Sequence, residues 1–202
     1  MFLTRKKHLS WKRLSIGLVS VIVFIIAGFA GFDVFTQPFF RGIDYESWHF
    51  ISAASKWWYF AIFSGIVFIV TRFIWKKKDI ASASSNSFIA LLCAEGVSEI
   101  LKICVGRMRP VVFDALGQVG FNSFSLSDVW HSFPSSHTAA AFAMLVSIGL
   151  AKHNLKPFTW MLAIVIGTSQ VVTGTNFPSD VLVGAFIGMF FADLIFAFRH
   201  KK

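Results

Sequence analysis

Charged residues are scarce in this chain of 202 amino acids: they make up only 14% of it. A soluble domain carries a charged fraction of roughly 25%. The deficit excludes an ordinary water-soluble domain, and the hydrophobic fraction of 55% indicates a membrane protein. The net charge of +9 would suit nucleic-acid binding in a soluble protein. Here no soluble surface is left to carry such a site, so we expect no nucleic-acid partner.

Cysteine is almost absent, since the chain has only Cys93 and Cys104. On one helix, eleven residues separate their Cα atoms by ~16 Å, which is too far for a disulfide. The two also lack the spacing of metal ligands. The sequence therefore implies no disulfide, no metal and no cofactor.

The apolar residues fall into blocks long enough to cross a hydrocarbon layer of ~30 Å. We expect six transmembrane helices, at about 14–32, 57–75, 84–105, 135–151, 158–175 and 180–198. The predicted fold class is an all-α polytopic bundle that forms one integral membrane domain over residues 1–202. The first block has about 19 apolar residues, longer than the core of a signal peptide, so we expect it to be retained.

Basic residues cluster on one side of this six-span path, and cytoplasmic loops are enriched in them. Fourteen of the 19 share that side: Arg5, Lys6, Lys7, Lys12, Arg13, Arg72, Lys76, Lys77, Lys78, Lys152, Lys156, Arg199, Lys201 and Lys202. Both termini are therefore predicted to be cytoplasmic, next to anionic lipid. The intervening segments are predicted as a first outer loop at 33–56, a polar cytoplasmic turn at 79–87 and a longest outer loop at 106–134.

Two cations stand at the outer end of the third predicted span, in segment 102–110. Lys102 and Arg109 would suit a phosphate dianion, Arg109 through a bidentate fork and Lys102 as a point charge. The alternative is that both are interfacial side chains that snorkel to the membrane surface. Arg107 is interpreted as such an interface or loop cation. Glu99 lies three residues before Lys102, within pairing reach on a helix, and is predicted to support it.

Segment 134–137 opens the fourth predicted span with proline and serine, which favour helix starts. The free backbone N–H groups of a helix start can bind an anion. Ser135 and Ser136 are candidate phosphate-binding residues, and His137 is a candidate proton donor to a leaving oxygen. The alternative is a plain capping segment with an interfacial histidine.

Segment 169–180 is the third of the series and ends at Asp180, which opens the sixth predicted span. Asp180 stands four residues after Asn176, so its carboxylate is predicted to orient that side chain. A simple helix N-cap is the alternative for Asp180, and it can be both.

Together the three segments, within residues 84–198, resemble the type 2 phosphatidic acid phosphatase superfamily, which includes vanadium haloperoxidases and bacterial acid phosphatases. Its pattern is K-x6-R-P, then P-S-G-H, then S-R-x5-H-x3-D. The first segment matches fully, and Ser136 replaces the glycine of the second. In the third, the family arginine falls at Gln170 and the family's nucleophilic histidine falls at Asn176.

The resemblance implies a six-span membrane phosphatase with an outward-facing site, in which His137 protonates the leaving group. Asparagine cannot be the nucleophile, because its nitrogen lone pair is delocalised and covalent catalysis needs an available one. Gln170 keeps a hydrogen-bond donor but loses the charge. Our first hypothesis is therefore a protein that binds a lipid phosphate or pyrophosphate and is catalytically impaired.

Two other hypotheses stay open. The chain is an active lipid phosphatase or phosphotransferase that uses water with His137 as acid and base, or another histidine such as His49 or His131. Alternatively it is a structural membrane subunit. A small chain without a glycosylation sequon suits a bacterial inner membrane with the site on the periplasmic face. Neither the lipid nor the oligomeric state can be predicted.

Overall fold

The structure is a computed structural model that describes residues 9–40, 43, 45–117 and 120–199, and its regular elements are helices. Its α-helices are α1 (Trp11–Ala27), α2 (Asp33–Phe40), α3 (Tyr45–Ala54), α4 (Trp57–Ile69), α5 (Lys78–Val105), α6 (Pro110–Leu116), α7 (Ser136–Ala151), α8 (Lys156–Val172) and α9 (Pro178–Arg199). Five-residue π-helical segments follow α1 and α4. The basic residues Arg5, Lys6, Lys7, Arg41, Lys201 and Lys202 lie outside the described residues.

Four helical stretches are long and apolar enough to cross a membrane: Trp11–Phe40, Trp57–Ile74, His153–Val172 and Pro178–Arg199. Two further helices complete the bundle. α5 has 28 residues but carries several buried polar ones, and α7 is apolar but has only 16 residues. The chain is thus an all-α membrane bundle with four candidate spans.

α7 is the central helix, and none of its residues is exposed. It packs against α5, α8 and α9, while α1 lies on α9, α4 on α5, and α3 on α8. A Cβ atom at Gly184 or Gly188 of α9 would clash with the carbonyl oxygens of Ser135 and Ala139. Small residues at this spacing let two membrane helices approach closely, which brings the start of α9 against the start of α7.

Residues 33–56, predicted as an outer loop, instead contain α2 and α3. The break comes earlier, at Gly31, whose φ of 114° favours glycine because it has no Cβ. Beyond this bend α2 turns its polar residues inward, and Asp33 and Gln37 are both buried. The sequence analysis did not predict these two short helices or the burial of Asp33 and Gln37.

Residues 79–87, predicted as a polar turn, form the first turns of α5. Ser84, Asn86 and Ser87 are buried there, and the Ser84 hydroxyl donates to the carbonyl oxygen of Ser64 in α4. Serine and asparagine favour turns because their side chains bond to nearby backbone. Here packing against α4 and α7 outweighs that preference.

Candidate phosphate site

The first segment gains its shape from the end of α5. Gly106 caps the helix with φ of 60° and donates its N–H to the Lys102 carbonyl at 2.8 Å. A side chain at Gly106 would clash with the backbone of Asn122, so the chain leaves the helix at a fixed angle. Lys102 stays on the last turn and is buried. Arg109 lies beyond the helix and caps α6.

Lys102 links the first segment to the second. Its Nζ donates to Glu99 Oε1 at 2.8 Å and to Ser136 Oγ at 2.5 Å. Two of its three donors are therefore used, and the ion pair with Glu99 leaves the ammonium fixed. The third hydrogen is available to a ligand.

The two terminal nitrogens of the Arg109 guanidinium are available to a ligand. Its Nε donates to the Asp128 carbonyl oxygen at 2.7 Å, and no described residue accepts a hydrogen bond from the two terminal nitrogens. Burial lowers the pKa of the Arg109 guanidinium, and the charges of Asp128 and Glu99 oppose that shift. Arginine starts so high that the group stays charged at neutral pH. A fixed fork of this kind suits a phosphate.

His137 lies at the first turn of α7 and is half-buried. The positive charges of Lys102, Arg109 and Lys56 all act on its imidazole. Within the described chain neither ring nitrogen has a hydrogen-bond partner. The imidazole is thus free to exchange a proton with a group that binds between it and the cations.

Ser135 belongs instead to the protein's internal network. Its hydroxyl donates to Asn176 Oδ1 at 3.0 Å and lies 2.9 Å from the Thr138 hydroxyl. Its N–H donates to the Asp180 carbonyl at 3.1 Å. The start of α7 is thereby tied to the start of α9.

Asn176 is 3% exposed, and both ends of its amide are occupied. Nδ2 donates to the Ser132 carbonyl, and Oδ1 accepts from Ser135. Its backbone N–H donates to the Gln170 carbonyl at 3.0 Å. The residue at the family's nucleophile position is therefore a buried structural amide.

Asp180 does not orient Asn176, contrary to the sequence prediction. It is fully buried, and its Oδ1 lies 2.5 Å from Arg107 Nη1. Its Oδ2 accepts from the Ser132 hydroxyl at 2.6 Å and from the Phe177 N–H at 2.9 Å. The last bond makes Asp180 a cap of α9, and no bond in the described structure joins its carboxylate to the Asn176 amide.

Arg107 was predicted as an interface or loop cation. It lies in the loop between α5 and α6, but it is not a snorkelling interface residue, because it is only 1% exposed. Besides Asp180, its guanidinium pairs with Asp33 of α2 at 2.8 Å. The rings of Phe29 and Phe177 lie 4.6 and 4.2 Å from it, close enough for cation–π attraction. Arg107 thus joins α2, the loop after α5, and α9.

Ser179 completes this buried cluster. It accepts from Arg107 Nη1 at 3.0 Å and donates its N–H to Asp33 Oδ1 at 3.0 Å. Sequence reasoning missed the cluster because Asp33, the acidic partner of Arg107, lies 74 residues away from it in the chain. The signal that was present is Asp33 itself, since an acidic residue near a membrane helix usually has a partner.

Gln170 bonds to α3. Its Nε2 donates to the Ser52 hydroxyl at 3.0 Å and to the Ser169 hydroxyl at 3.3 Å. Its Oε1 is buried and has no partner among the described residues. The amide therefore connects two helices, and none of its hydrogen bonds involves the residues around Lys102.

The two other candidate histidines, His49 and His131, have their contacts elsewhere. His131 is paired through Nε2 with the Ser125 carbonyl oxygen at 2.9 Å, within its own loop. His49 is exposed and stacks on Tyr45. Over the described residues no group of three or more metal-ligating side chains occurs, and Cys93 and Cys104 are both free.

Residues 83–202 match the family model of the PAP2 superfamily, which is more than half of the chain. The protein belongs to the PAP2 superfamily. Its region of match contains all three segments. The assignment makes the chain an integral membrane protein related to membrane lipid phosphatases.

Two curated relatives show the range of this likeness. The Lipid A 1-phosphatase of Rhizobium johnstonii is 30% identical over 105 residues, which are 52% of this chain and 43% of that protein. The Lipid A 4'-phosphatase of Bacteroides thetaiotaomicron is 26% identical over 188 residues, 84% of this chain and 78% of that protein. The chain thus matches less than half the length of the first relative.

A solved structure extends the likeness to the whole fold. The transmembrane PAP2 type phosphatidylglycerolphosphate phosphatase from Bacillus subtilis has a TM-score of 0.61 and 18% identity, over 93% of this chain and 96% of that one. At this identity the match concerns the fold alone. It covers the N-terminal helices, which lie outside the family match.

Proposed function

We propose that this protein binds a lipid phosphate or pyrophosphate and does not use the covalent histidine chemistry that the family resemblance implies. The observation that carries the proposal is Asn176, a buried amide with both ends hydrogen-bonded at the nucleophile position. An amide nitrogen has no available lone pair for attack on phosphorus.

The binding half of the proposal rests on four groups. Lys102, the open fork of Arg109, the His137 imidazole and the first N–H groups of α7 supply donors and positive charge. Charge-assisted bonds to phosphate are roughly twice as strong as neutral ones, and a helix start favours an anion. A monoester or pyrophosphate group is the anion whose charge matches two cations.

The chemical half rests on Asp180. In the family it would serve the histidine, but here its carboxylate is neutralised by Arg107 and bonded to Ser132. A histidine placed at position 176 would have to compete with these partners. We therefore expect the third segment to have become structural, with Gln170 holding α3 in place of a phosphate.

A lipid phosphatase that uses water is the second candidate. The relatives named as lipid A phosphatases and the unpartnered imidazole of His137 favour it. In that route a water oxygen bonds to phosphorus while His137 takes its proton. The bond from phosphorus to the lipid oxygen breaks, and His137 returns the proton to that oxygen.

We further propose six spans, with both termini cytoplasmic and the site on the outer face of a bacterial inner membrane. α5 and α7 would be the two spans beyond the four candidates. The bias of basic residues toward one side supports this orientation. Cysteine labelling from outside intact cells tests it. We expect labelling at position 126 and none at position 154, and the reverse result would overturn it.

One experiment separates the two candidates. Wild-type protein in phosphatidylcholine nanodiscs is offered lipid A, phosphatidylglycerol phosphate and a polyprenyl pyrophosphate, each beside its dephosphorylated form. Binding and phosphate release are measured on the same samples. Binding without release supports the first candidate, whereas release that His137→Ala abolishes supports the second.

The controls use the chain's own residues. Lys102→Ala should weaken binding. Lys156→Gln should not, because Lys156 starts α8 and lies at the end of that helix away from the site. Equal binding of phosphorylated and dephosphorylated lipids would overturn the proposed site. The variant Gln170→Arg/Asn176→His asks whether adding the family residues brings covalent turnover.

A further inference from the structure

Two adjoining cavities lie at the end of the bundle opposite to the phosphate site. The apolar cavity has a volume of about 510 Å³ and opens between α4, α5 and α7. The polar cavity has a volume of about 330 Å³ and lies between α5, α7 and α9. Ala83, Ala151 and Lys152 line both, so the two cavities share a wall. Small-molecule sites have volumes of roughly 300–1,000 Å³.

Distance separates these cavities from the phosphate site. Asn86 lines the polar cavity and lies 16 residues before Lys102 on α5, which corresponds to about 24 Å along a helix axis. Ala151 and His137 are similarly at opposite ends of α7. A ligand here would occupy a second site.

One residue that lines the polar cavity has a buried donor without a partner. Asn86 is 2% exposed, and its Nδ2 has no hydrogen-bond partner among the described residues. Arg199 Nη1 donates to its Oδ1 at 2.9 Å. Because arginine can only donate, this bond fixes the amide orientation and leaves the NH2 without an acceptor among the described residues. Burying such a donor unpaired is costly.

The charges at this end of the bundle suit an anion. Lys152 and Asp79 line the polar cavity, and Arg199 is bonded to Asn86. Arg72 and Lys78 line a neighbouring cavity together with Arg199, so cations outnumber carboxylates here and favour an anionic group such as a phosphodiester. Asp79 can accept a hydrogen bond from a hydroxyl next to that phosphate.

The polarity of the two cavities indicates the class of ligand. An apolar chamber beside a polar one, in a membrane bundle, fits a molecule with a hydrocarbon chain and an anionic head. We propose that the two cavities bind an anionic glycerophospholipid with a hydroxyl-bearing headgroup, with an acyl chain between Phe63 and Ile148 and the phosphate at Lys152 and Asn86.

Native mass spectrometry of delipidated protein tests the proposal with phosphatidylglycerol, phosphatidylethanolamine and phosphatidylcholine of equal chain length. We expect phosphatidylglycerol to bind most tightly. Lys152→Gln should weaken it by about tenfold, the effect of one lost charge-assisted bond. Lys156→Gln removes a neighbouring charge that lines neither cavity, and should leave binding unchanged. Equal losses in both variants, or equal binding of the three lipids, would overturn the proposal.

Crosslinking to wild-type protein locates the acyl chain. Phosphatidylglycerol with a photoactivatable acyl chain is bound to wild-type protein and irradiated, and the labelled peptides are mapped. Labels within 63–67, 80–87 and 144–155 support the proposal. Labels confined to α1, or to the end near Lys102 and His137, contradict it. Ala83→Phe, which enlarges a residue that lines both cavities, should reduce the specific labelling.

Discussion

The two halves of the candidate site use their polar groups differently. In the ligand-facing half, Arg109 and His137 have donors that no described residue uses, and Lys102 has one left. In the structural half, Asn176 and Asp180 have their side-chain groups bonded within the protein. In this half, Gln170 Oε1 and Arg107 Nε are buried without a hydrogen-bond partner among the described residues. The groups proposed to bind a phosphate are thus different residues from those at the family's catalytic positions, and each set can be tested separately.

A mutation at Arg107 should have the largest effect on stability, because Arg107 holds the structural half together. Arg107→Met leaves the buried carboxylates of Asp33 and Asp180 without a cation, which costs about 3–5 kcal/mol of folding free energy when a buried pair is broken. We expect a large fall in the unfolding temperature in detergent. A triple variant that adds Asp33→Asn and Asp180→Asn should recover much of the loss. A stable single variant would contradict the buried ion network.

The cations of the ligand-facing half should matter for binding. We expect Lys102→Ala and Arg109→Ala each to lose about 1.5–3 kcal/mol of phosphate binding, because each removes a charge-assisted bond. Equilibrium binding in nanodiscs measures this, and the unfolding temperature should change far less than for Arg107→Met. If either variant unfolds the protein as strongly, the two halves are not distinct.

His137 should separate binding from turnover. His137→Ala removes one hydrogen bond to the ligand, about 0.5–1.5 kcal/mol, so binding should weaken by only a few-fold to tenfold. Any phosphate release should disappear. Release that persists in this variant would exclude His137 as the acid or base, and would direct attention to the outer loops.

Gln170 should have the smallest effect on binding. Gln170→Leu removes its bonds to Ser52 and Ser169, which costs about 0.5–1.5 kcal/mol of stability, and lipid binding should stay within about threefold of wild type. Ser52→Ala serves as a matched variant on α3. A tenfold loss of binding in Gln170→Leu alone would assign Gln170 to the phosphate, as its motif position suggests.

The sequence predicted the membrane bundle and the three segments because these depend on local patterns. Apolar blocks, a lysine seven residues before an arginine, and a serine-rich helix start can all be read within a short window. The same reasoning predicted Glu99 next to Lys102 from helix spacing alone. Contacts between helices that are distant in the sequence could not be predicted from such local patterns.

Arg107 shows why the rest was missed. An arginine just after a membrane helix has the local pattern of a snorkelling cation, and only the bend at Gly31 brings Asp33 to it. Likewise the serines of 79–87 have the local pattern of a turn. They are buried in α5 because α4 and α7 cover them, and no local pattern encodes that contact.

The most direct test of the central claim is acid-quench trapping of wild-type protein during incubation with a radiolabelled lipid phosphate that it binds. The account predicts saturable binding that Lys102→Ala weakens, with no phosphohistidine on the protein. A covalent phosphohistidine on wild-type protein would contradict it, because another histidine would then act as the nucleophile in place of Asn176.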